Sequence, residues 1–388
     1  MTKSKILILA NTFYPVLGGV ETHLTALIKE ISKNKNIEAH LIAYTYFREK
    51  NNPYIGLYSN VKVNLLKLAP KPGNAIYWLE CNLWTFYFFY AIFPLFIFTL
   101  FYCLKNKSFN VVHANSHTTG IVAIWICRIF KIRKKYISMH GVMFSRLKNF
   151  QRYMMYRNLI KRRLGKFDKI FCIGKRSFEE IRHLLGTDDK LELFRYWVDD
   201  NIFTPKLSTE RTKHIGFGRK GFIFYAGRLV ETKGILLLLK IAAQLTEYNF
   251  AIAGDGDLKN LVEEESRKHS NIKYLGKLNS DQLPIYYQTA KISILLTLTD
   301  GEGIPNTLVE SIACGTPVLA TRRGGTSELV DLGVGLAVKN NQKDVKAKIN
   351  LIVGNEKLYQ EKRRACKIIA RKYFSSQNAQ IFIKNYLN

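Results

Sequence analysis

Short apolar segments alternate with longer amphipathic segments along all 388 residues, and this alternation is the strongest constraint on the fold. Many of the apolar segments have the length and composition of buried strands. They are Lys5–Ala10, Glu38–Tyr44, Val61–Leu66, Val111–Ala114, Lys135–Met139, Lys169–Ile173, Phe222–Tyr225, Asn249–Ala253, Ile272–Tyr274, Ile292–Leu296 and Val318–Ala320. Amphipathic stretches such as Glu21–Ser32 and Ile235–Leu245 separate most of them. The pattern predicts an α/β protein with parallel, doubly wound sheets, in which ligands bind beyond the carboxyl ends of the strands.

The length and the hydrophobic content predict two domains. A chain of 388 residues is long enough for two domains of ordinary size, and 47% hydrophobic residues can fill two cores. The polar, weakly patterned stretch Pro205–Lys220 is the predicted joint between them. The first domain is therefore expected over residues 1–205 and the second from residue 206 onward, and the two halves have the same architecture.

The formal net charge of +29 is concentrated in one part of the chain. Between Arg128 and Lys169 there are fourteen Lys or Arg residues and a single acid, Asp168. Such a segment attracts polyanions, which include nucleic acid, an acidic membrane face and phosphorylated substrates. Lys is abundant throughout the chain, and this bias explains part of the charge but not its clustering.

The cysteines and the amino terminus exclude several classes of protein. The six cysteines have no paired spacing, which argues against metal knuckles and a disulfide framework and favours a reducing compartment. They are Cys81, Cys103, Cys127, Cys172, Cys314 and Cys366. The first apolar run, Ile6–Ala10, is short and leads into a Gly-rich turn, so it predicts a first strand rather than a signal peptide.

The 24 residues from Cys81 to Leu104 carry no charge and are rich in Phe, Tyr and Leu. Their length permits a transmembrane helix. A single crossing would, however, separate strands that are expected to share one sheet. Pro94 and the many aromatic residues suit a bent or interfacial segment. We therefore expect a helix or helix pair that packs on the first domain and places an apolar face in the membrane surface. A true span and a wholly buried core helix are the alternatives.

Two carboxylates, Glu302 and Glu310, stand at a predicted loop–helix junction. Glu302 lies in a loop rich in Gly, Asp and Pro, and Asn306 is the predicted N-cap of a helix that begins at Thr307. Because side chains tilt toward the amino terminus of a helix, Glu310 can reach the space beyond the loop. The first N–H groups of a helix have no partner within it. The junction therefore suits a ligand that carries both hydroxyl groups and negative charge.

Three other strand ends carry candidate ligand contacts. Arg228 and Lys233 follow the strand Phe222–Tyr225 and could clamp a diphosphate, although they could also be two solvated cations. Gly18 and Gly19 follow the first strand and open a helix, where backbone N–H groups could hold an anion or form an ordinary turn. Gly254-Asp255-Gly256 is equally consistent with a plain turn and with a ligand contact.

Histidines occur at or just after strand ends in the first half, at His113, His117 and His140. A single histidine in such a place is more often structural than functional. His140 directly follows a predicted strand, and we expect it to hydrogen-bond a substrate hydroxyl or to accept a proton. No Cys, Glu or further His has the spacing of a zinc ligand, so we expect no metal.

Taken in order, these residues resemble the family 4 retaining glycosyltransferases of the GT-B fold, and the similarity covers almost the whole chain. The matching segments are Gly18-Gly19-Val20-Glu21, His113, His140-Gly141, Gly227-Arg228, Lys233-Gly234, Gly254-Asp255-Gly256, Leu275-Gly276, Glu302 to Asn306 with Glu310, and Ala313 to Val318. The stretch from Glu302 to Pro317 is the most specific. The resemblance implies two Rossmann-like parallel-sheet domains that face a central cleft. It also implies a donor domain over residues 206–371, and a helix, Lys372–Leu387, within residues 372–388 that crosses back to the first domain.

The resemblance also implies roles for individual residues. In the implied catalytic set, Glu302 would face the transferred sugar and His140 would touch it. Arg228 and Lys233 would neutralise the leaving diphosphate in place of a metal. The implied donor-binding set would hold the ribose through Glu310, and the sugar and phosphates through backbone N–H groups. That set is Gly18, Gly19, Gly303, Ile304, Pro305, Asn306, Thr307, Leu308 and Glu310. No cofactor is expected, and the donor substrate is expected to be a UDP-sugar ahead of a GDP-sugar.

The chain departs from the family pattern at two places. Tyr196-Trp197-Val198-Asp199 stands where the family often has Asn-Gly-Val-Asp, and Ile304 stands where Phe is common. The first departure bears on the hinge or the acceptor cleft, and neither bears on the class of enzyme.

The acceptor is expected to be a lipid-linked saccharide. The aromatic segment 81–104 and the basic segment that follows it suit the anionic, cytoplasmic face of the cell membrane, where each cation adds about 1 kcal/mol. We therefore expect a peripheral hexosyl- or N-acetylhexosaminyl-transferase of surface polysaccharide assembly (O-antigen, capsule or exopolysaccharide). The alternatives are a soluble glycosyltransferase with a small acceptor and a nucleotide-sugar epimerase. A basic nucleic-acid-binding protein is a third, which explains the charge but not the loop chemistry.

Overall fold

The chain folds as two compact units, Met1–Phe194 with Ala379–Asn388, and Arg195–Asn378. The computed structural model describes eight stretches of the chain. They are residues 3–13, 18–45, 53–67, 88–106, 108–141, 150–206, 221–300 and 303–388. Each unit is built around one parallel β-sheet, as the alternating sequence pattern predicts.

The sheet of the first unit has seven strands in the order β3-β2-β1-β4-β5-β6-β7. Every recorded strand pair in it is parallel. The strands are β1 Ser4–Thr12, β2 Ile37–Thr45, β3 Val61–Lys67, β4 Val111–Ala114, β5 Lys134–Met139, β6 Lys169–Ile173 and β7 Leu191–Phe194. Strands of a parallel sheet are buried on both faces, which is why β1 and β4 are almost continuously apolar rather than alternating.

Helices cover this sheet. They are α1 Gly19–Ser32, α2 Phe93–Lys105, α3 His117–Phe130, α4 Phe150–Leu164 and α5 Gly174–Leu185. The residues of β1, β4 and α3 supply much of one buried apolar cluster.

Helix α2 is the described part of the uncharged segment 81–104, and a single π-helical turn, Phe88–Ile92, precedes it. Leu95, Thr99 and Cys103 on one face are buried against the unit. The opposite face is exposed, with relative exposures of 43% for Phe93, 60% for Phe101 and 49% for Leu104. The helix is therefore packed on the first unit by one face only, so it is not a wholly buried core helix. Residues 81–87 of the predicted segment lie outside the described residues.

Within the described stretches, no helix is both long enough and apolar enough to cross a membrane.

The sheet of the second unit has six strands in the order β10-β9-β8-β11-β12-β13, again paired in parallel. The strands are β8 Ile223–Ala226, β9 Phe250–Ala253, β10 Ile272–Tyr274, β11 Ile292–Leu295, β12 Val318–Thr321 and β13 Gly335–Val338. The helices are α6 Ile235–Ala242, α7 Lys259–Lys268, α8 Leu283–Thr289, α9 Asn306–Ala313, α10 Thr326–Asp331, α11 Gln342–Gly354 and α12 Glu356–Tyr373.

All eleven strands predicted from the sequence are present, with ends that differ by at most two residues. Two further strands, β7 and β13, were missed. Each lies at an edge of its sheet, and its two middle residues are only partly buried. Of the predicted joint Pro205–Lys220, residues 207–220 lie outside the described residues.

The carboxyl-terminal residues form two helices rather than the single helix predicted over Lys372–Leu387. Helix α12 ends at Tyr373, a 3₁₀ turn covers Ser376–Ala379, and helix α13 follows at Gln380–Leu387. Helix α13 packs in the first unit, where the Tyr136 hydroxyl donates to the carbonyl of Asn385 over 3.0 Å.

An asparagine closes the first β-α-β element of each unit in the same way. In the first unit the Nδ2 group of Asn60, which directly precedes β3, donates to the carbonyls of Ile31, Asn34 and Ile37 at 3.0 to 3.3 Å. These carbonyls lie at the end of α1 and the start of β2, so one side chain ties helix α1 to two strands.

In the second unit Asn271, which directly precedes β10, repeats the arrangement. Its Nδ2 group donates to the carbonyls of Ala242, Leu245 and Tyr248 at 2.9 to 3.2 Å. Both asparagines are buried, at 9% and 7% exposure. Without the amide, buried carbonyls would lose a hydrogen-bond partner.

We expect Asn271→Ala and Asn60→Ala each to lower the free energy of unfolding by about 1–3 kcal/mol, because each leaves buried carbonyls unsatisfied. The matched control is Asn260→Ala, since Asn260 is exposed on α7. Chemical unfolding monitored by circular dichroism measures the effect. Equal stability of Asn271→Ala and Asn260→Ala would contradict the structural role.

Candidate active site

The loops that follow β8 and β11 meet at one edge of the second sheet. These strands are hydrogen-bonded neighbours, although β9 and β10 lie between them in the chain. Such a reversal of strand order leaves a crevice at the carboxyl ends, where ligands of doubly wound proteins bind. The two loops are joined directly, because the N–H of Leu298 donates to the carbonyl of Thr232 over 2.9 Å.

Lys233 lies in the loop after β8, at the end of a 3₁₀ turn over Glu231–Lys233. Gly234 follows it with φ +74°, in the left-handed region that favours glycine. A Cβ atom at Gly234 would also lie 2.1 Å from the carbonyl oxygen of Leu296, the residue after β11. Lys233 is therefore held next to the carboxyl end of β11, which the sequence spacing alone could not establish.

Arg228 lies in the same loop, two residues after the end of β8, and it is exposed. Its backbone is fixed, because the Tyr225 hydroxyl donates to the carbonyl of Arg228 over 2.8 Å. The next residue, Leu229, donates its N–H to the carbonyl of Asp255 over 2.9 Å. The segment Gly254-Asp255-Gly256 thus braces the loop that carries Arg228.

Glu302 lies outside the described residues, but the residues on either side of it are anchored to the loop after β12. Asp300 accepts a hydrogen bond of 2.7 Å from Arg323 and one of 3.4 Å from the N–H of Gly324. A Cβ atom at Gly325 would lie 2.4 Å from the carbonyl carbon of Gly303. Asp300 and Gly303, which flank the undescribed residues 301 and 302, are therefore both held against the loop after β12.

Helix α9 begins directly after this loop. Pro305 is its N-cap and Asn306 its first residue, so the prediction of Asn306 as the N-cap was wrong by one position. Proline is well suited to a helix start, because it has no N–H that would need a partner. The N–H of Leu308 donates to the carbonyl of Pro305 over 3.1 Å, so this group of the predicted donor-binding set is engaged within the helix. Ile304 and Leu308 are buried, whereas Gly303, Asn306 and Thr307 are partly exposed.

Glu310 lies one turn into α9 and is 7% exposed. Its carboxyl group accepts a hydrogen bond of 3.1 Å from the hydroxyl of Tyr287, a fully buried residue of α8. Burial raises the pKa of Glu310 to about 8, and the bond from Tyr287 only partly opposes this rise. Sequence reasoning missed Tyr287, because nothing in a short apolar helix marks the partner of a distant carboxyl group.

The first sheet has the corresponding crevice between β1 and β4, which are also neighbours despite β2 and β3 between them in the chain. Gly18 and Gly19 lie at the start of α1, after β1. Gly18 is extended, with φ −166°, and the carboxylate of Glu21 lies over it and is hydrogen-bonded by Thr12. The helix start is therefore covered by an acidic side chain that the sequence analysis assigned no role.

His140 follows β5 on the same edge, and its Nε2 atom lies 3.3 Å from Oδ1 of Asn115, which follows β4. Its ring is 5.3 Å from that of His23 and 5.8 Å from that of Phe194. Burial lowers the pKa of His140 to about 3, so the ring is neutral at pH 7 and can exchange hydrogen bonds but is not a general acid.

His113 has a structural role. Its Nδ1 atom is hydrogen-bonded to the hydroxyl of Tyr386 in α13 over 2.5 Å, and its Nε2 atom to Ser138 over 2.8 Å. Both ring nitrogens are thus engaged, Nδ1 with α13 and Nε2 with β5, so His113 attaches α13 to the first sheet. His117 is the first residue of α3.

The described cysteines, Cys103, Cys127, Cys172, Cys314 and Cys366, are buried free thiols. In the described stretches no group of three His, Cys, Asp or Glu side chains has the arrangement of a metal site.

Two family models match the chain, one described as Glycosyltransferase Family 4 over residues 17–201 and one as Glycosyl transferases group 1 over residues 208–373. The chain also superimposes on the structure of HepE from Anabaena in complex with UDP and glucose, with a TM-score of 0.75, 17% identity and 98% of each chain covered. The fold is therefore that of the GT-B glycosyltransferases. Because the two models together cover most of its length, the chain belongs to family 4 of these enzymes.

Several curated relatives are similar in sequence as well. An uncharacterised glycosyltransferase of Methanocaldococcus jannaschii, MJ1178, is 26% identical over 90% of this chain and 89% of its own length. The O-antigen biosynthesis glycosyltransferase WbnH of Escherichia coli is 23% identical over 74% of this chain and 80% of its own. The UDP-Gal:alpha-D-GlcNAc-diphosphoundecaprenol alpha-1,3-galactosyltransferase of Escherichia coli is 25% identical over 60% and 62%.

The raised pKa of Glu310 predicts a specific pH dependence of stability. The folded state holds this proton up to about pH 8, whereas the unfolded chain releases it near pH 4.5. The contribution of Glu310 to stability is therefore full below pH 4.5 and is lost as the pH rises from 4.5 to 8. A glutamine at this position cannot lose a proton. The Glu310→Gln variant should therefore become more stable than the wild type as the pH rises from 4.5 to 8.

Chemical unfolding of both proteins at pH 5, 6, 7 and 8 measures the difference, in which all other titrating groups cancel. The control is Glu247→Gln, because Glu247 is exposed before β9. Parallel stability curves for Glu310→Gln and the wild type would contradict the shift.

Proposed function

We propose that the protein is a retaining glycosyltransferase that moves a sugar from a nucleoside-diphosphate sugar to a lipid-linked oligosaccharide. The proposal that the protein binds a nucleotide-sugar donor rests on the junction of the loops after β8 and β11. There the loop that carries the cation Lys233 is held against Leu296, at the carboxyl end of β11, and α9 begins a few residues further along the chain.

The chemistry of transfer matches the groups gathered at this edge. Departure of a nucleoside diphosphate concentrates negative charge on the phosphates and leaves positive character on the sugar carbon. Fixed cations such as Lys233 and Arg228 stabilise the first charge, and they need no metal ion to do so. The carboxylate of Glu302 would face the sugar, and Glu310 would hold the ribose.

The proposed donor is a UDP-sugar, with a GDP-sugar as the second choice. The proposed transferred group is a hexose or N-acetylhexosamine. Support comes from the HepE complex with UDP and glucose and from the relative whose name specifies UDP-Gal. The acceptor is proposed to be bound by the first unit, at the edge that carries His140 and the turn of Gly18 and Gly19.

Turnover of nucleotide sugars tests the donor half of the proposal. A panel of UDP- and GDP-sugars is incubated with the wild type, and release of the nucleoside diphosphate is measured. We expect Lys233→Ala and Glu302→Gln each to lower turnover of the accepted donor about 100-fold, as loss of one preorganised group typically does.

The matched controls are Lys240→Ala and Glu247→Gln, both exposed residues near the amino edge of the same sheet. They change the same charges far from the site and should leave turnover unchanged. Wild-type turnover in Lys233→Ala or Glu302→Gln would contradict the assignment of these residues to the donor site.

A membrane location is proposed for the exposed face of α2, defined by Phe93, Phe98, Phe101 and Leu104. The helix has 13 residues, so it is about 20 Å long. It leads into β4 and therefore runs alongside the sheet, and its face extends from the carboxyl edge to the amino edge. An apolar face of this kind suits insertion into the boundary between headgroups and acyl chains.

Cations lie where helices α2 to α4 end and the next strands begin. They are Lys105, Arg128, Lys131, Arg133, Lys161, Arg162 and Lys166, and all are exposed. Together with the apolar face they match an anionic bilayer, such as the cytoplasmic face of a cell membrane. The relatives named for O-antigen synthesis and for a diphosphoundecaprenol-linked acceptor support a role in surface polysaccharide assembly.

Sedimentation with vesicles that contain an anionic phospholipid tests this placement. The triple variant Phe98→Ser, Phe101→Ser, Leu104→Ser should lose most of its vesicle association, because the inserted apolar area is removed. The control is Leu351→Ser with Ile368→Ser, which removes exposed apolar side chains from the second unit. Equal sedimentation of wild type and triple variant would favour a soluble enzyme with a small acceptor.

A further inference from the structure

Asn115 lies at the point of the first sheet where the strand order reverses. It directly follows β4, and its N–H donates to the carbonyl of Leu9 in β1 over 2.8 Å. The side chain is 3% exposed, which is unusual for a polar residue at a strand end. Its position is therefore fixed by the two central strands, at the carboxyl edge where ligands of this fold bind.

Of the two polar groups of the Asn115 amide, only the oxygen has a recorded partner. Oδ1 accepts from Nε2 of His140 over 3.3 Å, whereas the buried Nδ2 group has no partner within the described stretches. The polar neighbours do not supply one, because Ser116 and Thr118 both donate to Oδ1 of Asn11. Leaving a buried donor unsatisfied destabilises the folded state, so such groups are rare.

The other buried asparagines of this protein show what a structural asparagine looks like here. The Nδ2 groups of Asn60 and Asn271 each donate to three backbone carbonyls and hold their unit together. Asn115 does not resemble them, since its amide donates to no group of the described residues.

We propose that Asn115 is a substrate-binding residue, whose Nδ2 group donates a hydrogen bond to a substrate oxygen at the carboxyl edge of the first sheet. The inference rests on the proposed function, because the oxygen belongs to one of the two sugar substrates. It is either a hydroxyl or a phosphate oxygen, and both accept a hydrogen bond from an amide. The same side chain positions His140, because Oδ1 of Asn115 holds the proton of that ring on Nε2.

Stability provides the first test, because it separates a ligand-binding amide from a structural one. Asn115→Leu removes the unsatisfied donor but also the acceptor of one long bond from His140, so the melting temperature should change little. Asn60→Leu and Asn271→Leu should lower it by several degrees. A loss of stability in Asn115→Leu equal to that in Asn60→Leu would overturn the proposal.

Turnover provides the second test, made with the nucleotide sugar that the wild type hydrolyses fastest. Asn115→Leu should lower kcat/KM for hydrolysis or for transfer about ten-fold, as the loss of one uncharged hydrogen bond does. An effect on hydrolysis, with UDP binding unchanged, places the oxygen on the donor sugar. An effect on transfer alone places it on the acceptor. Activities within two-fold of the wild type in both assays would overturn the proposal.

Asn115→Asp distinguishes the two kinds of oxygen, because a carboxylate accepts from a hydroxyl but repels a phosphate. Activity above that of Asn115→Leu indicates a hydroxyl, and activity below it indicates a phosphate oxygen. The control is Asn260→Asp, at an exposed position of α7. If the wild type turns over no nucleotide sugar, the proposed function fails, while the melting temperature of Asn115→Leu still decides whether Asn115 is structural.

Discussion

Strand β11 is hydrogen-bonded to β8, a strand from much earlier in the chain, and the candidate donor site depends on this pairing. It places two loops side by side that are separated in sequence by β9, β10 and three helices. The bond from Leu298 to Thr232 and the contact of Gly234 with Leu296 then fix their spacing. The loop that carries Lys233 thereby lies beside the first residues after β11, Leu296 to Leu298. The pairing of β1 with β4 has the same effect in the first unit.

Buried polar side chains serve two purposes in this protein. Asn60 and Asn271 saturate backbone carbonyls, and His113 uses both of its ring nitrogens, so these residues stabilise the fold. Glu310 and Asn115 are less well satisfied, since burial raises the pKa of the first and leaves an amide donor of the second unpaired among the described residues. Both lie on elements that follow or begin at the carboxyl ends of central strands. Polar groups that lack full hydrogen bonding at such places are what a ligand-binding surface requires before its ligand binds.

Most of the fold could be predicted because strand burial is visible in the sequence as short continuous apolar runs. The edge strands β7 and β13 were missed, because Glu192 interrupts the apolar run of β7, and Gly333 and Gly335 give the start of β13 the composition of a turn. The family of the enzyme could be predicted because the segment from Glu302 to Pro317 keeps its residue types and spacing. The break between α12 and α13 was missed, because Ser376–Ala379 contains no proline or glycine to mark the turn.

The sequence by itself determined the α/β class, the order of the strands along the chain, and the candidates Glu302, Glu310, Arg228, Lys233 and His140. These follow from local patterns, which depend on nearby residues only. Tertiary structure alone decided which candidates meet. It placed Tyr287 against Glu310, and Asn115 against His140, and it assigned His113 to the attachment of α13. Such pairings join residues far apart in the chain, so they depend on the parallel register of the sheets and leave no local signal.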